Sequence, residues 1–342
     1  MKKSRTALVG AALAALLLPA LVVPSVASAT PKHSEPTVSV LASELQGTTG
    51  SAIGPDGALY VPEGLTGDVT RIDLRTGRQS TFASGLPERV VDIGGAIDIA
   101  FLGRTAYVLV TMVDASVGGS DVSGIYRIDD RDSWTVVADI GAWSIAHPPS
   151  TDFFVPSGVH FAIQSVRGGF LVSDGHHNRV LFVTPRGSIS EAIAFGNVVP
   201  TGLAVSGRTA YVSEAGPTPH LPEDGTVVAF RLGSAEPTPR TVASGYSLLV
   251  DVELNRCGRL FALSQGDGDP AAPEGAPGLP NSGELLTVNR NGTLSVVVDE
   301  LDWPTSVEFV KNTAYVVTLT GTVLKISNVS GKWDCRGGHH GR

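Results

Sequence analysis

One short segment recurs six times along this chain, and its spacing limits the folds that the chain can adopt. Each copy is an apolar core of four residues, such as ALYV or TAYV, in which the third position is aromatic or leucine. The copies occupy residues 58–61, 105–108, 169–172, 209–212, 259–262 and 313–316. Intervals of 40 to 64 residues between copies favour β-propeller blades, each built from four short antiparallel strands.

The sequence around each copy has the same internal order. An alternating apolar and polar strand precedes the core, and two further strands follow it, separated by turns rich in Gly, Asn and Pro. The sixth repeat lacks a fourth strand, whereas residues 37–45 match a fourth strand with no blade before them. The sequence therefore predicts an all-β, six-bladed propeller whose ring is closed by the N-terminal strand pairing in the last blade, which removes two open sheet edges. The predicted blades are 48–85, 90–141, 155–196, 199–245, 248–301 and 303–329, completed by strand 37–45.

The N-terminus has the features of a secretory signal peptide. Lys2, Lys3 and Arg5 precede an apolar stretch at 7–23, and small residues end it at Ala29. A membrane anchor needs about 20 unbroken apolar residues, whereas Pro19 interrupts this stretch and Pro24 directly follows it. We predict cleavage after Ala29 and a secreted, extracellular mature chain at 30–342, which forms a single domain and has no membrane span.

The net charge of the chain argues against some classes of binding partner. The full chain carries a net charge of −8, which becomes −11 without the predicted signal peptide, because that segment contains three basic residues and no acidic ones. Such a surface repels phosphate backbones and anionic membranes. We therefore expect no nucleic-acid partner, and we expect a monomer.

Two cysteines remain after export, in a compartment where disulfides persist. Cys257 lies in the turn between the first two strands of blade 5, and Cys335 follows the third strand of blade 6. Alternating strands place both on the same face of the ring, in adjacent blades. We predict a Cys257–Cys335 disulfide, with two free thiols as the alternative.

The opposite face carries the long insertions, at 113–124, 141–156, 215–225 and 266–283; we call it the loop-rich face. Function concentrates on such loops. The candidate binding residues there are three carboxylates that end the second strand of a blade, a polar turn, and two histidines of the insertions: Glu63, Asp174, Glu214, His176, His177, Asn178, His147 and His220. The alternative for the carboxylates is structural, since a carboxylate at a strand end accepts hydrogen bonds from the following turn.

A second set of candidates lies on the innermost strands. Between two apolar neighbours, these strands carry Asp98, His160, Glu253 and Glu308, with alanine in two other blades at Ala52 and Ala204. Around a central channel, such side chains would provide ligands for Ca²⁺ or Mg²⁺ or an acid–base pair. A polar channel without a ligand is the alternative, because a slip of one residue in register would turn these side chains away.

Several motifs together resemble the secreted ScyD/ScyE family: GPDGALYVPEG at 54–64, GGFLVSDGHHNRVLFVTPRGSIS at 168–190, TGLAVSGRTAYVSEAGPTPHLPEDGTVVAF at 201–230 and LFALSQ at 260–265. The resemblance covers the predicted mature chain and implies an exported six-bladed propeller whose biochemical activity is unsettled. Single blade motifs are also similar to NHL, gluconolactonase-like and streptogramin-lyase propellers. Gluconolactonase-like proteins use a first-blade carboxylate in their metal site, where this chain has Ala52, and the His/Glu pattern of streptogramin lyases finds no match here.

These observations favour a binding or interaction module that takes a small molecule, a glycan or a protein on its loop-rich face. The alternative is a metal-assisted lyase or lactonase with a divalent cation in the channel and His147 or His177 nearby. A third hypothesis is an accessory protein of the cell envelope. No residue is assigned a catalytic role from sequence, because a fold does not by itself confer chemistry.

Overall fold

The computed structural model describes residues 35–217, 220–271 and 276–329. It contains six four-stranded antiparallel sheets arranged in a ring. The predicted six-bladed β-propeller is therefore confirmed. Among the described residues, no helix is long and apolar enough to cross a bilayer. The predicted signal peptide and Cys335 lie outside the described residues, so the cleavage site and the disulfide stay predictions.

The chain enters through β1 (Thr37–Ala42) and then forms the blades in order. Blade 1 contains β2 (Ala52–Ile53), β3 (Leu59–Glu63), β4 (Asp68–Ile72) and β5 (Gln79–Ala83). Blade 2 contains β6 (Gly95–Leu102), β7 (Thr105–Thr111), β8 (Gly124–Asp130) and β9 (Ser133–Asp139). Blade 3 contains β10 (His160–Val166), β11 (Gly169–Asp174), β12 (Arg179–Val183) and β13 (Ile189–Ala194). Blade 4 contains β14 (Pro200–Ser206), β15 (Thr209–Glu214), β16 (Thr226–Arg231) and β17 (Arg240–Ser244). Blade 5 contains β18 (Leu249–Leu254), β19 (Leu260–Ser264), β20 (Gly283–Val288) and β21 (Leu294–Leu301). Blade 6 contains β22 (Pro304–Val310), β23 (Thr313–Thr318) and β24 (Val323–Ser327).

The ring closes in blade 6, as the sequence predicts. Strand β1 pairs antiparallel with β24, with Val38 opposite Ile326, and the sheet order is β1-β24-β23-β22. Both ends of the propeller are thereby held in one sheet, so the inner and outer strands of the last blade come from distant parts of the chain.

The recurring aromatic position packs between neighbouring blades, which explains why it recurs. The Tyr60 ring of blade 1 lies 5.0 Å from the Phe101 ring of blade 2. The Tyr107 ring of blade 2 lies 4.7 Å from that of Phe170 in blade 3. Such offset aromatic pairs add stability beyond the apolar area that they bury, so the core is a series of interfaces between adjacent sheets.

The inner strands are irregular in a way that the sequence pattern does not reveal. Strand β6 has a register shift between Ala96 and Asp98, and β18 has one between Leu249 and Asp251. Strands β10, β14 and β22 carry comparable shifts. An extra residue in one strand re-aims the side chains on one side of it, so these bulges decide which residues face the channel.

The insertion between blades 2 and 3 contains a helix, α1 (Ile140–Ala146), where the sequence indicates only a loop. The Asp139 carboxylate accepts a hydrogen bond from the backbone N–H of Ala142 at 2.8 Å. This N-cap satisfies one of the donors that a helix leaves unpaired at its start. The helix gives the loop-rich face a rigid element.

Candidate functional site

The inner strands enclose a cavity of about 260 Å³ in the central channel. Its polar lining combines carboxylates with neutral polar side chains. The titratable side chains that line it are Asp98, Asp251, Glu253 and Glu308, and the neutral polar ones include Gln164, Ser51 and Ser306.

Strand pairing sorts these residues into two levels. The first level comprises the residues opposite the recurring aromatic position: Ala52, Ala100, Gln164, Ala204, Glu253 and Glu308. The second level lies two residues earlier on each strand: Gly50, Asp98, Ala162, Gly202, Asp251 and Ser306. Glu253 and Glu308 share one level, as the sequence predicts. Asp98 and His160 do not, because they lie two and four residues before the equivalent position in their strands.

Two residues of the lining escaped sequence analysis. Asp251 lies two positions before Glu253 on β18, and Gln164 lies opposite Leu171 in blade 3. The alternation of a strand puts residues i and i+2 on the same side. The motif VDVEL at 250–254 therefore places Asp251 on the same side of β18 as Glu253. Gln164 cannot be placed in this way, because the bulge in β10 interrupts the alternation before it.

The two aspartates of the second level clasp the next blade in the same way. Asp98 Oδ2 accepts a hydrogen bond from the backbone N–H of Ile163 at 2.8 Å. Asp251 Oδ2 accepts one from the N–H of Val307 at 2.7 Å. Blades 2 and 5 thus grip blades 3 and 6 through equivalent contacts.

Glycine precedes each of these aspartates in the ring. A Cβ on Gly50 of blade 1 would collide with Oδ1 of Asp98, and a Cβ on Gly202 of blade 4 would collide with Oδ1 of Asp251. The order glycine, aspartate, small residue therefore occurs twice around the second level. The channel has an approximate twofold repeat of three blades.

The channel carboxylates lack a basic partner side chain among the described residues. None of the four forms an ion pair within the described parts of the chain. Burial raises the pKa of Asp251 to about 7. Burial also raises the pKa of Asp98 and of Glu308 well above their ordinary values, and the nearby carboxylates add to both increases. The pKa of Glu253 is raised by burial and then by Asp251.

The channel does not present a ready-made site for a divalent cation. Across the described ranges, no three His, Cys, Asp or Glu side chains converge on one metal position. Each aspartate also spends an oxygen on the adjacent blade's backbone, while Ca²⁺ needs six to eight oxygen ligands. These residues therefore fit Ca²⁺ or Mg²⁺ poorly as they stand.

His160 lies apart from the channel cavity. It is fully buried where blade 2 meets blade 3, and its backbone N–H donates to Thr111 Oγ1 at 3.1 Å. Burial lowers the pKa of its imidazole. The structure thus places His160 beside Asp174, its partner across β10 and β11, and not among the channel carboxylates.

Asp174 is the centre of a buried ionic cluster on the loop-rich face. Its Oδ2 atom lies 2.9 Å from Nε of Arg179 and 3.0 Å from Nδ1 of His177. Burial alone would raise the pKa of Asp174, but the hydrogen bond from His177 and the charges of His160, His177 and Arg179 hold it below its ordinary value. All of these side chains are almost completely buried. A substrate has no access to them.

The cluster holds the insertion between blades 2 and 3 in place. Arg179 donates to the backbone carbonyl of His147 at 2.7 Å and to Ser144 Oγ at 3.0 Å. His177 Nε2 donates to the carbonyl of Val155 at 3.0 Å. The polar turn of blade 3 therefore fixes both the helix and the segment that follows it.

Asn178 fixes the next connection in a similar way. It has a positive φ of 55°, which Asn adopts more readily than most residues. Its Oδ1 atom accepts hydrogen bonds from the N–H groups of Val198 and Val199, both at 2.9 Å. The side chain clasps the entry to blade 4 and is buried.

The other strand-end carboxylates have separate structural partners. Glu63 accepts from the Gln46 N–H at 2.8 Å and from Thr70 Oγ1 at 2.6 Å. Glu214 accepts from the hydroxyl of Thr226, and burial raises its pKa to about 7. Glu63, Asp174 and Glu214 thus share a position in the repeat but no common ligand site.

The three remaining histidines differ in exposure. His220 is buried and donates from Nδ1 to the carbonyl of Gly216 at 2.7 Å. His147 is exposed and its ring stacks on Trp143, with centroids 4.4 Å apart. His176 is half-buried and packs edge-on against Phe154 at 4.6 Å.

Three large apolar side chains of this region are exposed. Ile145, Phe153 and Phe154 keep 55%, 41% and 58% of their surfaces accessible. We call these three side chains the apolar insertion patch. The polar residues beneath the patch are predicted from sequence as candidate binding residues, but the patch itself is not. The FF pair at 153–154 in a long insertion is the sequence signal for it.

No protein-family model matches this chain, and no curated protein sequence matches it. Among solved structures, it is similar to a gluconolactonase from Xanthomonas campestris, with 13% identity, 85% of this chain and 89% of that chain covered, and a TM-score of 0.58. It is also similar to the PQQ-bound aldose sugar dehydrogenase from Streptomyces coelicolor (14% identity, 86% and 98% covered, TM-score 0.56). A third similar structure is the virginiamycin B lyase from Staphylococcus aureus (12% identity, 86% and 99% covered, TM-score 0.54). At these identities, the similarity establishes the six-bladed propeller fold.

Proposed function

We propose that this chain is an exported propeller that binds a protein partner through its loop-rich face. The observation that carries the proposal is the apolar insertion patch, which is exposed although the segment bearing it is firmly anchored. Exposed aromatic side chains on a rigid support are typical of the energetic centre of protein interfaces.

The support beneath the patch is rigid because several independent contacts converge on it. Arg179 and His177 bind the insertion at Ser144, His147 and Val155. A small apolar cluster of Met112, Val155 and Val159, with Val91 and Val117 packed against it, joins the neighbouring loops. A preorganised surface of this kind loses little conformational entropy when a partner binds.

Further apolar side chains are exposed on the loop-rich face in the connections of blade 1. These are Leu65, Val90 and Ile93. The backbone N–H of Arg89 donates to the carbonyl of Gly64 at 2.7 Å, which ties these connections together. Exposed apolar side chains on several loops suit a protein better than a small ligand, which needs a concave site.

Two further observations support export. The N-terminal residues have the charged, apolar and small-residue segments of a signal peptide. The sequence motifs resemble the ScyD/ScyE family, whose members are secreted.

The test compares two double variants that remove exposed apolar side chains. Phe153→Ser/Phe154→Ser alters the apolar insertion patch, whereas Val136→Ser/Val296→Ser alters comparably exposed residues on the outer strands β9 and β21. A partner isolated from the extracellular fraction of the native host is purified, and its Kd is measured for both variants. The patch variant is expected to weaken binding at least about tenfold, and the outer-strand variant is expected to leave it unchanged. Equal affinities for the two variants would refute the proposed surface.

A second candidate function is acid–base cleavage of a lactone or a related ring in the channel. Glu253 and Glu308 line the 260 Å³ cavity, and neither forms an ion pair with another described residue. Raised pKa values suit a carboxyl group that donates a proton at neutral pH. The similar structures named as a gluconolactonase and a lyase add support by analogy of fold.

The test measures hydrolysis of a panel of sugar lactones, monitored as the release of acid at constant pH. Glu253→Gln and Glu308→Gln should each reduce kcat by about a hundredfold or more, while the exposed control Glu236→Gln should not. Turnover that survives in both channel variants would exclude this candidate.

A further inference from the structure

A groove between blades 3 and 4 opens on the face opposite the loop-rich face, and no function discussed above uses it. Its volume is about 480 Å³, within the range of sites for small organic ligands. Leu171 on β11, Phe182 on β12 and Phe230 on β16 form its apolar walls. We call it the inter-blade groove.

Three arginines line the rim of the inter-blade groove. Arg167 lies in the turn between β10 and β11, Arg208 lies in the matching turn of blade 4, and Arg231 ends β16. One carboxylate, Glu191 on β13, also lines the groove. Within the described ranges, none of the three arginines forms an ion pair. Three guanidinium groups against one carboxylate make this a locally positive site on a chain of net charge −8.

Part of the rim is already held in position. The Arg208 guanidinium donates to the carbonyl of Leu232 at 3.2 Å, and the Leu232 N–H donates to the carbonyl of Arg208 at 2.8 Å. The turn of blade 4 and the loop after β16 are therefore tied together. A ligand would meet a partly preorganised rim, which lowers the entropic cost of binding.

From these features we propose that the inter-blade groove binds an organic anion with a flat apolar body, such as an aromatic carboxylate or sulfonate. Guanidinium groups are always charged, are weakly hydrated, and donate paired hydrogen bonds to planar anions. Phe182 is partly exposed and offers a ring against which an aromatic ligand packs, with the buried Phe230 behind it. The anionic group binds at the rim and the ring lies against the apolar walls.

The test uses anilinonaphthalene sulfonate, a fluorescent aromatic anion, titrated into the purified protein. Wild type is expected to show one saturable class of site. Arg167→Glu and Arg231→Glu should each weaken binding on the order of tenfold. The matched control is Arg290→Glu, because Arg290 is exposed in a turn of blade 5 on the same face and does not line the groove. Thermal melts of all variants verify that they fold.

Two further arms separate the groove from other apolar surface. Phenylnaphthylamine has the same aromatic body without the sulfonate, and it is expected to bind wild type at least about tenfold more weakly. Phe153→Ser/Phe154→Ser should leave binding of the sulfonate unchanged. Equal loss in Arg231→Glu and Arg290→Glu, equal affinity for the neutral probe, or loss of binding in the Phe153/Phe154 variant would overturn the proposal.

Discussion

The propeller contains two groups of carboxylates that have opposite surroundings. On the loop-rich face, Asp174 is held by Arg179 and His177, and its pKa is lowered. In the channel, Asp251, Glu253 and Glu308 have no ion pair among the described residues, and their pKa values are raised. The same residue type thus serves as an anchor in one place and remains uncompensated in the other.

This contrast distinguishes residues that anchor the structure from residues that are candidates for function. Asp174, His177 and Arg179 are buried and bind one another or the insertion between blades 2 and 3, whereas Phe153 and Phe154 of that insertion are exposed to partners. The channel carboxylates line a cavity and accept hydrogen bonds from backbone N–H groups, but they have no ion pair among the described residues. Candidate functional residues are therefore better judged by what remains unpaired than by residue type.

Replacement of Arg179 is expected to have the largest effect. Arg179→Met leaves Asp174 as an uncompensated buried charge and removes the contacts to Ser144 and His147. We expect a loss of about 3 to 5 kcal/mol in the free energy of unfolding, measured by urea denaturation. Arg71→Met removes the partly exposed pair with Asp56 and should cost about 1 kcal/mol or less. Equal losses in the two variants would contradict the anchoring role of Arg179.

Alanine at either channel glycine is expected to have the next largest effect. A Cβ on Gly50 or Gly202 collides with Asp98 or Asp251, respectively, so each variant should lose about 1 to 3 kcal/mol. Gly196→Ala is the control, because no atom lies within 4 Å of the added Cβ. Similar losses at the two sites would support the approximate twofold repeat, whereas a loss at only one would contradict it.

The contribution of the channel glutamates Glu253 and Glu308 to the free energy of unfolding should fall as the pH rises. Burial raises the folded-state pKa of Glu253 and Glu308 above the unfolded value of about 4.3. The folded protein therefore binds more protons than the unfolded chain, and this contribution to stability is complete below about pH 4 and is lost as the pH rises through the folded-state pKa.

Glu253→Gln/Glu308→Gln tests this dependence. The variant removes both titrations and should be more stable than wild type by about 1 to 2 kcal/mol at pH 8, with little difference at pH 4. Chemical denaturation at both pH values measures the effect, and Glu236→Gln serves as the exposed control. A variant that is less stable than wild type at pH 8 would show that these carboxylates are compensated.

The smallest change in stability is expected for the apolar insertion patch. Phe153→Ser/Phe154→Ser alters side chains that are about half exposed, so the free energy of unfolding should change by about 1 kcal/mol or less. A much larger loss would mean that the two rings are part of the core, and it would remove the distinction between the anchored support and the surface above it.

The fold follows from sequence because its signals are periodic. The recurring aromatic core, the missing fourth strand of blade 6 and the matching strand β1 together predict the closed ring. Glu253 and Glu308 also follow from strand alternation. His160 does not lie at the level of these glutamates because the bulge in β10 falls between it and Gln164, and no composition signal marks a bulge. Asp98 pairs regularly with Leu109, two residues before Ala100, and strand alternation alone does not distinguish positions two residues apart.

The site on the loop-rich face was beyond sequence analysis for a different reason. Asp174, His177 and Arg179 are close in sequence, but the groups that they anchor, at Ser144, His147 and Val155, come from an insertion without periodicity. Which side of that insertion is buried depends on tertiary contacts. Burial decides that the polar residues support the loop and that Phe153 and Phe154 remain exposed.

The central claim is that the protein binds its partner through the apolar insertion patch, and site-specific photocrosslinking tests it most directly. A benzophenone amino acid is placed at Phe154 and, in a separate variant, at Val136 on the outer strand β9. After irradiation in the native extracellular fraction, position 154 should yield one discrete protein adduct that position 136 does not. The same adduct from both positions, or none from position 154, would contradict the claim.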